Sequence, residues 1–325
     1  MKNRSIILFL LSLTFLVTLT FAQGKTLNIA VIIKATDSDF WQYMVVGSQN
    51  YAKEHPDVKI TVDGPASEAD VDKQVAILEN IVSRKPDGIL IAPTSSDASV
   101  PAIEDAVQKG IPVVTVDNRV NSKKPAAHLA TDNLKGGALA ADKLVEAIKA
   151  LGKEPKGKIA LISAYAGIEV LTKRDDGFTK HLAEIAPELK ILPVRYVDND
   201  IQKAISSAND LLLANPDLLG FFADNNHTGD GVAVALRDSG HSEKIAAVAF
   251  DSDPEEVKAL DAGVLYALIL QDPYQMGYKG LDYVVQAIDK KQLPEYTDTL
   301  AYAVTKKNMN EPDMKGLLNP LSRKK

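Results

Sequence analysis

Polar side chains recur just after the predicted strands of this 325-residue sequence. Asp117 follows one apolar, β-branched run, and Asp251 follows another. The positions that share this placement are Lys34, Asp117, Asn118, Asn199, Asn225, Asp251 and Gln271. In an open parallel sheet, ligands bind beyond the carboxyl ends of the strands, because loops and helix N-termini present polar groups there. The sequence therefore predicts a polar ligand-binding site at one end of its sheets.

These residue types suit a ligand that carries many hydroxyl groups. Each sugar hydroxyl donates and accepts, while carboxylates accept, arginine donates and asparagine does both. Phe40 and Trp41, after the first predicted strand, could cover an apolar C–H face of a sugar ring. A charged hydrogen bond contributes about 1.5 to 3 kcal/mol net, so a few of them reach the roughly −8 kcal/mol of a micromolar complex.

Other roles are open for several of these side chains. Asp and Asn after a strand are also common helix N-caps. Such caps are expected at Asp200, at Asn226 and at Ser252 or Asp253. Trp41 has core packing as its alternative, and Lys34 has a solvated strand end. Arg174, a further candidate, has Asp175 or Asp176 as alternative partners on its helix. The recurrence of polar residues at one end of the sheets favours ligand binding.

The elements that must position these residues alternate along the chain. Short β-branched runs precede longer segments of helical period, which is typical of parallel sheets with helices on both faces. Strands are predicted over 27–33, 58–62, 88–92, 112–116, 158–163, 190–197, 218–223, 246–250 and 264–270, the first four of them buried. Helices are predicted over 98–109 and around the apolar stripe of Val71, Val75, Leu78 and Val82. Gly136 and Gly137 lie in another helical pattern, where they permit close packing.

Two domains are expected for a chain of this length, at roughly 150 residues per domain. A hydrophobic content of 46% is sufficient for large cores. No low-complexity linker separates the halves, which meet near 130–133. The halves are therefore expected to be joined by hinge strands and not by a flexible tether.

The N-terminus predicts export to the periplasm. Lys2 and Arg4 precede an apolar run over 6–21, and a small-residue cleavage point follows Ala22. This pattern indicates a signal peptide over 1–22, since a membrane helix needs about 20 apolar residues. The sequence has no cysteine, which excludes disulfides and a lipidated cysteine anchor. A freely diffusing periplasmic protein is expected.

The charge and the histidines argue against other classes of protein. The net charge of −6 becomes more negative without Lys2 and Arg4, which disfavours a nucleic-acid partner. Asp117 and Asp251 could form the acid–base pair of a carbohydrate-active enzyme, but ligand binding explains them equally well. The five histidines have no metal-ligand spacing. No catalytic residue, metal or cofactor is predicted, and the enzyme remains a remote alternative.

Several short segments together carry a family resemblance. They are Phe40-Trp41 with the segment before it, 87–91, 110–114, 131–133, Gly136-Gly137, 174–178 and 250–251. In this order and at these spacings, they resemble the type I periplasmic sugar-binding proteins, most closely the ribose-binding-protein-like branch. The resemblance extends from Leu27 to about Lys307.

That resemblance implies an α/β fold of two similar, doubly wound parallel-sheet lobes joined by three hinge crossings. The implied segments are 26–131 with 272–300 for the N-terminal lobe, and 132–271 with 301–325 for the C-terminal lobe. The implied hinges lie near 130–132, 271–273 and 300–302. The cleft between the lobes would close on its ligand.

The resemblance also implies a set of ligand contacts. By position in the family pattern, these are Ser38, Phe40, Trp41, Asp117, Arg174, Asn225, Asp251 and Gln271. Asn199 stands where ribose binders have an aromatic residue, and Asn118 where they have an arginine. Lys34 is a further departure that could reach the ligand. A different monosaccharide, a sugar alcohol or a sugar acid is therefore expected in place of ribose.

The implied function is that of a monomeric solute receptor. Its closed form would dock on the permease of an ABC-type importer in the inner membrane. The alternative is a receptor that presents the sugar to a chemoreceptor or a sensor kinase.

Overall fold

Strands and helices alternate along residues 25–323, the part of the chain that the computed structural model describes. The predicted signal peptide at 1–22 lies outside the described residues. The strands are β1 (Leu27–Ile32), β2 (Val58–Asp63), β3 (Gly88–Ile91), β4 (Val113–Val116), β5 (Ala127–Ala130), β6 (Gly157–Ser163), β7 (Leu189–Ile191), β8 (Arg195–Tyr196), β9 (Leu218–Ala223), β10 (Ala246–Phe250), β11 (Ala267–Leu270), β12 (Tyr296–Asp298) and β13 (Tyr302–Thr305). The helices are α1 (Asp39–Glu54), α2 (Val71–Ser83), α3 (Val100–Gln108), α4 (Asn133–Ala150), α5 (Glu169–Ile185), α6 (Ile201–Ala214), α7 (Asn226–Asp238), α8 (Pro254–Ala262), α9 (Pro273–Ile288) and α10 (Pro312–Leu318). Among residues 25–323, none of the helices combines the length and apolar character that crossing a bilayer requires.

The first lobe is built on a parallel sheet with the strand order β12-β5-β4-β3-β1-β2. Side chains alternate along its buried strands, because successive Cβ atoms point to opposite faces. Ile29 and Val31 pack with α1 and α9, whereas Ala30 and Ile32 pack with α2 and α3. Helices therefore cover both faces, as the continuous apolar strands predict.

The second lobe repeats this arrangement. Its sheet has the order β13-β11-β10-β9-β6-β7, and β8 also pairs with β6. The strands are parallel except for β13, which runs antiparallel to β11. Helices α4 and α5 cover one face, and α6, α7 and α8 cover the other.

Three crossings join the lobes. The chain passes from β5 to α4 at 131–132, from β11 to α9 at 271–272, and from β12 to β13 at 299–301. The predicted architecture of two mainly parallel α/β lobes is confirmed.

Three of the predicted strands differ from the structure. The strand predicted over 264–270 begins only at Ala267, as β11. The chain over 190–197 forms β7 and β8 with Pro193 between them, because proline has no N–H to donate to a ladder. The strand over 58–62 is present as β2, but only Val58 of β2 is buried, since β2 is an edge strand. Strands β5, β12 and β13 are missing from the sequence prediction, because segments of three or four residues show little periodicity.

The C-terminal segment contacts both lobes. Leu317 and Leu318 of α10 pack into the core of the second lobe. Arg323 Nη1 lies 2.8 Å from Asp272 Oδ1, and the Arg323 carbonyl accepts from Asn50 Nδ2 at 3.3 Å. Because Asp272 caps α9 and Asn50 lies on α1, this segment is a further link between the lobes.

Helices α4 and α5 approach closely at Gly137. A Cβ atom there would lie 2.0 Å from the Arg174 carbonyl oxygen and 2.6 Å from the Phe178 nitrogen. At Gly136 it would lie 2.6 Å from the Phe250 ring. The prediction that this glycine pair permits close packing is confirmed. The contact also fixes the backbone of Arg174.

We expect Gly137→Ala to lower the free energy of unfolding by about 1 to 3 kcal/mol, because the added methyl group forces α4 and α5 apart. Urea denaturation measures the change. Glu146→Ala, on the exposed face of α4, is the control and should stay within about 0.5 kcal/mol of the unsubstituted protein. Equal stability of the two variants would contradict the packing argument.

Candidate ligand-binding site

Asp117 and Asp251 occupy equivalent places in the two lobes. Asp117 follows β4 and Asp251 follows β10, and each backbone N–H donates to a carbonyl of the neighbouring strand. Both residues have left-handed backbone conformations, with φ of 61° and 75°. Such conformations cost a non-glycine residue roughly 1 to 3 kcal/mol and cluster at functional sites. The strained turns thus mark the facing ends of the two sheets.

One cavity brings most of the predicted site residues together. It holds about 430 Å³ of space, part of it open to solvent, and side chains of both lobes line it. The predicted residues in its lining are Lys34, Ser38, Phe40, Trp41, Asp117, Arg174, Asn225, Asp251 and Gln271. Asn118 and Asn199 lie outside the lining. Asn118 is buried beside Asp117, and Asn199 is half-buried.

The wall from the first lobe is a chain of paired polar groups. Lys34 Nζ lies 2.5 Å from Asp117 Oδ2, and both side chains are at least 95% buried. Lys34 Nζ also lies 5.3 Å from the centre of the Trp41 ring, a cation–π contact. Trp41 Nε1 donates to Glu68 Oε1 at 2.7 Å. Lys34 is therefore a buried member of the site and not a solvated strand end, while Trp41 lines the cavity and packs in the core.

The wall from the second lobe is organised by Arg174, which is 2% exposed. Its Nε and Nη2 donate to Asn133 Oδ1 at 3.2 and 2.9 Å, and its Nη1 donates to the Asp224 carbonyl. The guanidinium carbon lies 3.6 Å from the centre of the Phe250 ring. The carboxylate partner of Arg174 is Asp251, at 3.9 Å. Arg174 does not form an ion pair with Asp175 or Asp176, the alternative partners on its helix.

Asp251 carries a perturbed carboxyl group. Burial raises the pKa of Asp251 to about 6, although the Arg174 charge and the hydrogen bond from Gln271 oppose this rise. Gln271 Nε2 donates to Asp251 Oδ1 at 2.6 Å, while Gln271 Oε1 has no hydrogen-bond partner among the described residues. Both residues of this pair belong to the cavity lining.

The structure corrects one predicted helix cap. Asn225, and not Asn226, caps α7, and its Oδ1 accepts from Thr228 N at 3.0 Å. Asn226 instead lines the cavity and donates from Nδ2 to Ser38 Oγ of the first lobe at 3.3 Å. The Asn199 Oδ1 accepts from Asn225 Nδ2 at 2.6 Å, so it orients a lining residue. The caps predicted at residues 200 and 253 are confirmed.

Some lining residues escape the sequence prediction. They are Glu68, Ala164, Tyr165, Ile168, Val170, Leu171 and Asn226. Glu68 lies in the loop after β2, a strand end like those that led to the other candidates. The apolar residues at the start of α5 offer no such signal, because their pattern is that of an ordinary helix.

The site is suited to a ligand that carries hydroxyl groups and no net charge. Each buried cation already has a carboxylate partner, Lys34 with Asp117 and Arg174 with Asp251. Burying an unpaired charge is costly, so the pairing favours a neutral, polyhydroxylated ligand. Within residues 25–323, no group of three or more His, Cys, Asp or Glu residues is arranged to hold a metal ion.

Comparisons with known proteins identify chains of similar sequence and fold. A family profile described as periplasmic binding protein domain matches residues 29–292. The ribose import binding protein RbsB of Escherichia coli (strain K12) is 30% identical over 256 residues, covering 78% of this chain and 82% of that protein. A carbohydrate transporter solute binding protein from Agrobacterium radiobacter, in complex with D-arabinose, has a TM-score of 0.87 and 34% identity and covers 92% of this chain and 100% of that chain. An ABC transporter solute binding protein from Agrobacterium vitis with bound D-fucose has a TM-score of 0.84 and 36% identity and covers 90% and 99%.

We expect Arg174→Met to raise the pKa of the Asp251 carboxyl above about 6, because it removes the positive charge that favours the ionised form. Carbon NMR of the side-chain carboxyl, recorded against pH, measures this. Lys173→Met is the matched control, since Lys173 is exposed and pairs with Glu169. An unchanged titration in the Arg174 variant would show that this arginine does not set the charge of the site.

Proposed function

The chain belongs to the periplasmic binding protein domain family, and from that premise we propose that it is a periplasmic solute receptor of an ABC-type importer. Its ligand is a monosaccharide or a sugar-like polyol, bound in the cleft between the lobes. The observation that carries the proposal is the cavity lined by hydrogen-bonding side chains of both lobes. Relatives that contain D-arabinose and D-fucose support the ligand class.

Neutral ligands are favoured over sugar acids. Both buried cations of the cleft are paired with carboxylates of the protein, so a ligand carboxylate would have to displace one of them. Hydroxyl groups can instead accept from the cations and donate to the carboxylates while both pairs stay intact. The free Gln271 Oε1 offers a further acceptor.

Binding and closure are coupled in this proposal, because the ligand touches both lobes at once. A ligand that contacts Asp117 of one lobe and Arg174 of the other binds the closed form better than the open one. The three crossings at 131–132, 271–272 and 299–301 would absorb the change in backbone angles.

The closed receptor would deliver its ligand to a membrane permease and perform no chemistry. Its relatives are sugar-binding transport proteins, and both cleft aspartates are held in pairs that suit ligand binding. Presentation of the sugar to a chemoreceptor or a sensor kinase is the second candidate, because closure produces the same signal for either partner. A monomer in the periplasm is the proposed state.

Thermal unfolding against a panel of neutral pentoses, hexoses, polyols, sugar acids and amino acids tests the ligand class. A neutral sugar at about 1,000 times its dissociation constant should add roughly 4 kcal/mol and shift the melting temperature by about ten degrees. Arg174→Met should abolish the shift, and Lys173→Met should retain it. A shift with amino acids alone, or with no compound at all, would overturn the proposed ligand class.

Small-angle scattering tests the hinge. The radius of gyration should fall when the sugar that gives the largest thermal shift saturates the protein, because closure brings the lobes together. A sugar without a thermal shift is the control and should leave the radius unchanged. Saturation without compaction would rule out closure on the ligand.

A further inference from the structure

A cluster of buried carboxyl groups lies outside the sugar cleft, and its members are Asp230 of α7 with Asp253 and Glu256 at the start of α8. Their exposed fractions are 8%, 7% and 0%. Both carboxyl oxygens of Glu256 and Oδ1 of Asp230 have no hydrogen-bond partner among the described residues. Carboxyl groups buried in this way are rare unless they are paired or protonated. This carboxyl cluster has no part in the proposed sugar contacts.

The carboxyl cluster faces the other lobe. Asn226 and Asp230 are four residues apart on α7 and so share a face, and Asn226 donates across the cleft to Ser38. The carboxyl cluster lies within electrostatic reach of two residues on α1 of the first lobe, the exposed Asp39 and the buried Tyr43. Burial and these acidic neighbours raise the pKa of Tyr43. Asp230 therefore lies on the face of α7 that contacts the first lobe, while Glu256 packs against Gly229 of α7.

The charged groups around the carboxyl cluster are mostly acidic, and the nearby Lys258 of α8 pairs with Glu255. The facing groups are Asp39 and Tyr43 of α1, Asp230 of α7, Asp253, Glu255 and Glu256 of α8, and Asp251 after β10. Arg174 pairs with Asp251, and Arg237 pairs with Glu255 and Asp238. Among residues 25–323, no lysine or arginine forms an ion pair with Asp230, Asp253 or Glu256.

Protonation neutralises a cluster of carboxyl groups that has no basic partner. Burial and the neighbouring Asp253 charge raise the pKa of Asp230, because two close carboxylates repel each other. Asp253 is the better anion, because its Oδ1 accepts from the N–H groups of Glu255 and Glu256 at the start of α8. Burial raises the pKa of Asp230 and of Glu256. The described residues offer no metal-binding group that could neutralise the cluster instead.

We propose that closing the lobes binds protons into the cluster of Asp230, Asp253 and Glu256, so that acid favours the closed receptor through residues that do not touch the sugar. The inference rests on the proposed hinge function. Its sign follows from linkage: in this proposal, opening the lobes admits water to the cluster, so protonation is easier in the closed form. Closure, and with it sugar affinity, is favoured at lower pH and weakens as the pH rises.

Titration calorimetry of the full mature chain tests this proposal at pH 7.0 to 8.5. The probe is whichever of D-arabinose, D-fucose and D-ribose gives the largest thermal shift. Measurement in two buffers with different ionisation enthalpies counts the protons taken up on binding. Each proton taken up should raise the dissociation constant about tenfold per pH unit. The range lies above the pKa of about 6 of the cleft residue Asp251, which therefore contributes little.

The double variant Asp230→Asn with Glu256→Gln should lose the proton uptake and bind the sugar with an affinity that is nearly constant over this range. Asp261→Asn is the matched control, since it removes an exposed charge from the same helix α8 and should keep the uptake. Thermal unfolding without sugar verifies that each variant is folded.

The outcomes separate this inference from the proposed function. If none of the three sugars binds, the proposed function fails first. If the unsubstituted protein binds a sugar without taking up protons, the function stands and the inference is overturned, and this result needs no variant. Uptake that persists in the double variant, or that disappears equally in the control, would also overturn it.

Discussion

The burial of charge where two sheets face each other is the constraint on which this structure depends. Parallel sheets place the carboxyl ends of their strands at one edge, and the two lobes bring two such edges together. Lysine, arginine and carboxylate side chains thereby leave water. An isolated buried charge is costly, so each must find a partner or change its protonation. Lys34 with Asp117 and Arg174 with Asp251 take the first route.

The carboxyl cluster beside the cleft instead changes its protonation. The ion pairs and the cluster therefore have different functions. Pairs that are already neutral as a whole can exchange hydrogen bonds with ligand hydroxyls without a change in net charge. A cluster of acids alone has no such balance, so its energy depends on pH and on whether the lobes are closed. The same closure can thus serve sugar binding and respond to acid, through different residues in and just before α7 and α8.

The helices around the cleft hold the lining side chains in place through close packing and hydrogen bonds. Gly137 lets α4 lie against the backbone of Arg174, and Asn133 at the start of α4 holds the guanidinium. Asn199 holds Asn225 in turn. Such supporting hydrogen bonds leave few rotamers open to the lining side chains, which lowers the entropy cost of binding. Three short crossings and the C-terminal contact join the lobes, and the proposed hinge motion would take place there.

The sequence by itself determined the alternation of strands and helices, the two-lobed α/β class and most of the cavity lining, because strand ends in parallel sheets share one edge. Only the tertiary structure decided which polar residue caps a helix and which faces the cleft. Asn225 and Asn226 are adjacent and chemically identical, and both line the cavity, but Asn225 caps α7 while Asn226 reaches Ser38 of the other lobe. The partner of Arg174, the burial of Lys34 and the cluster around Glu256 likewise depend on residues distant in sequence. Local pattern specifies elements, but contacts between distant segments, within a lobe or between lobes, exist only once the chain has folded.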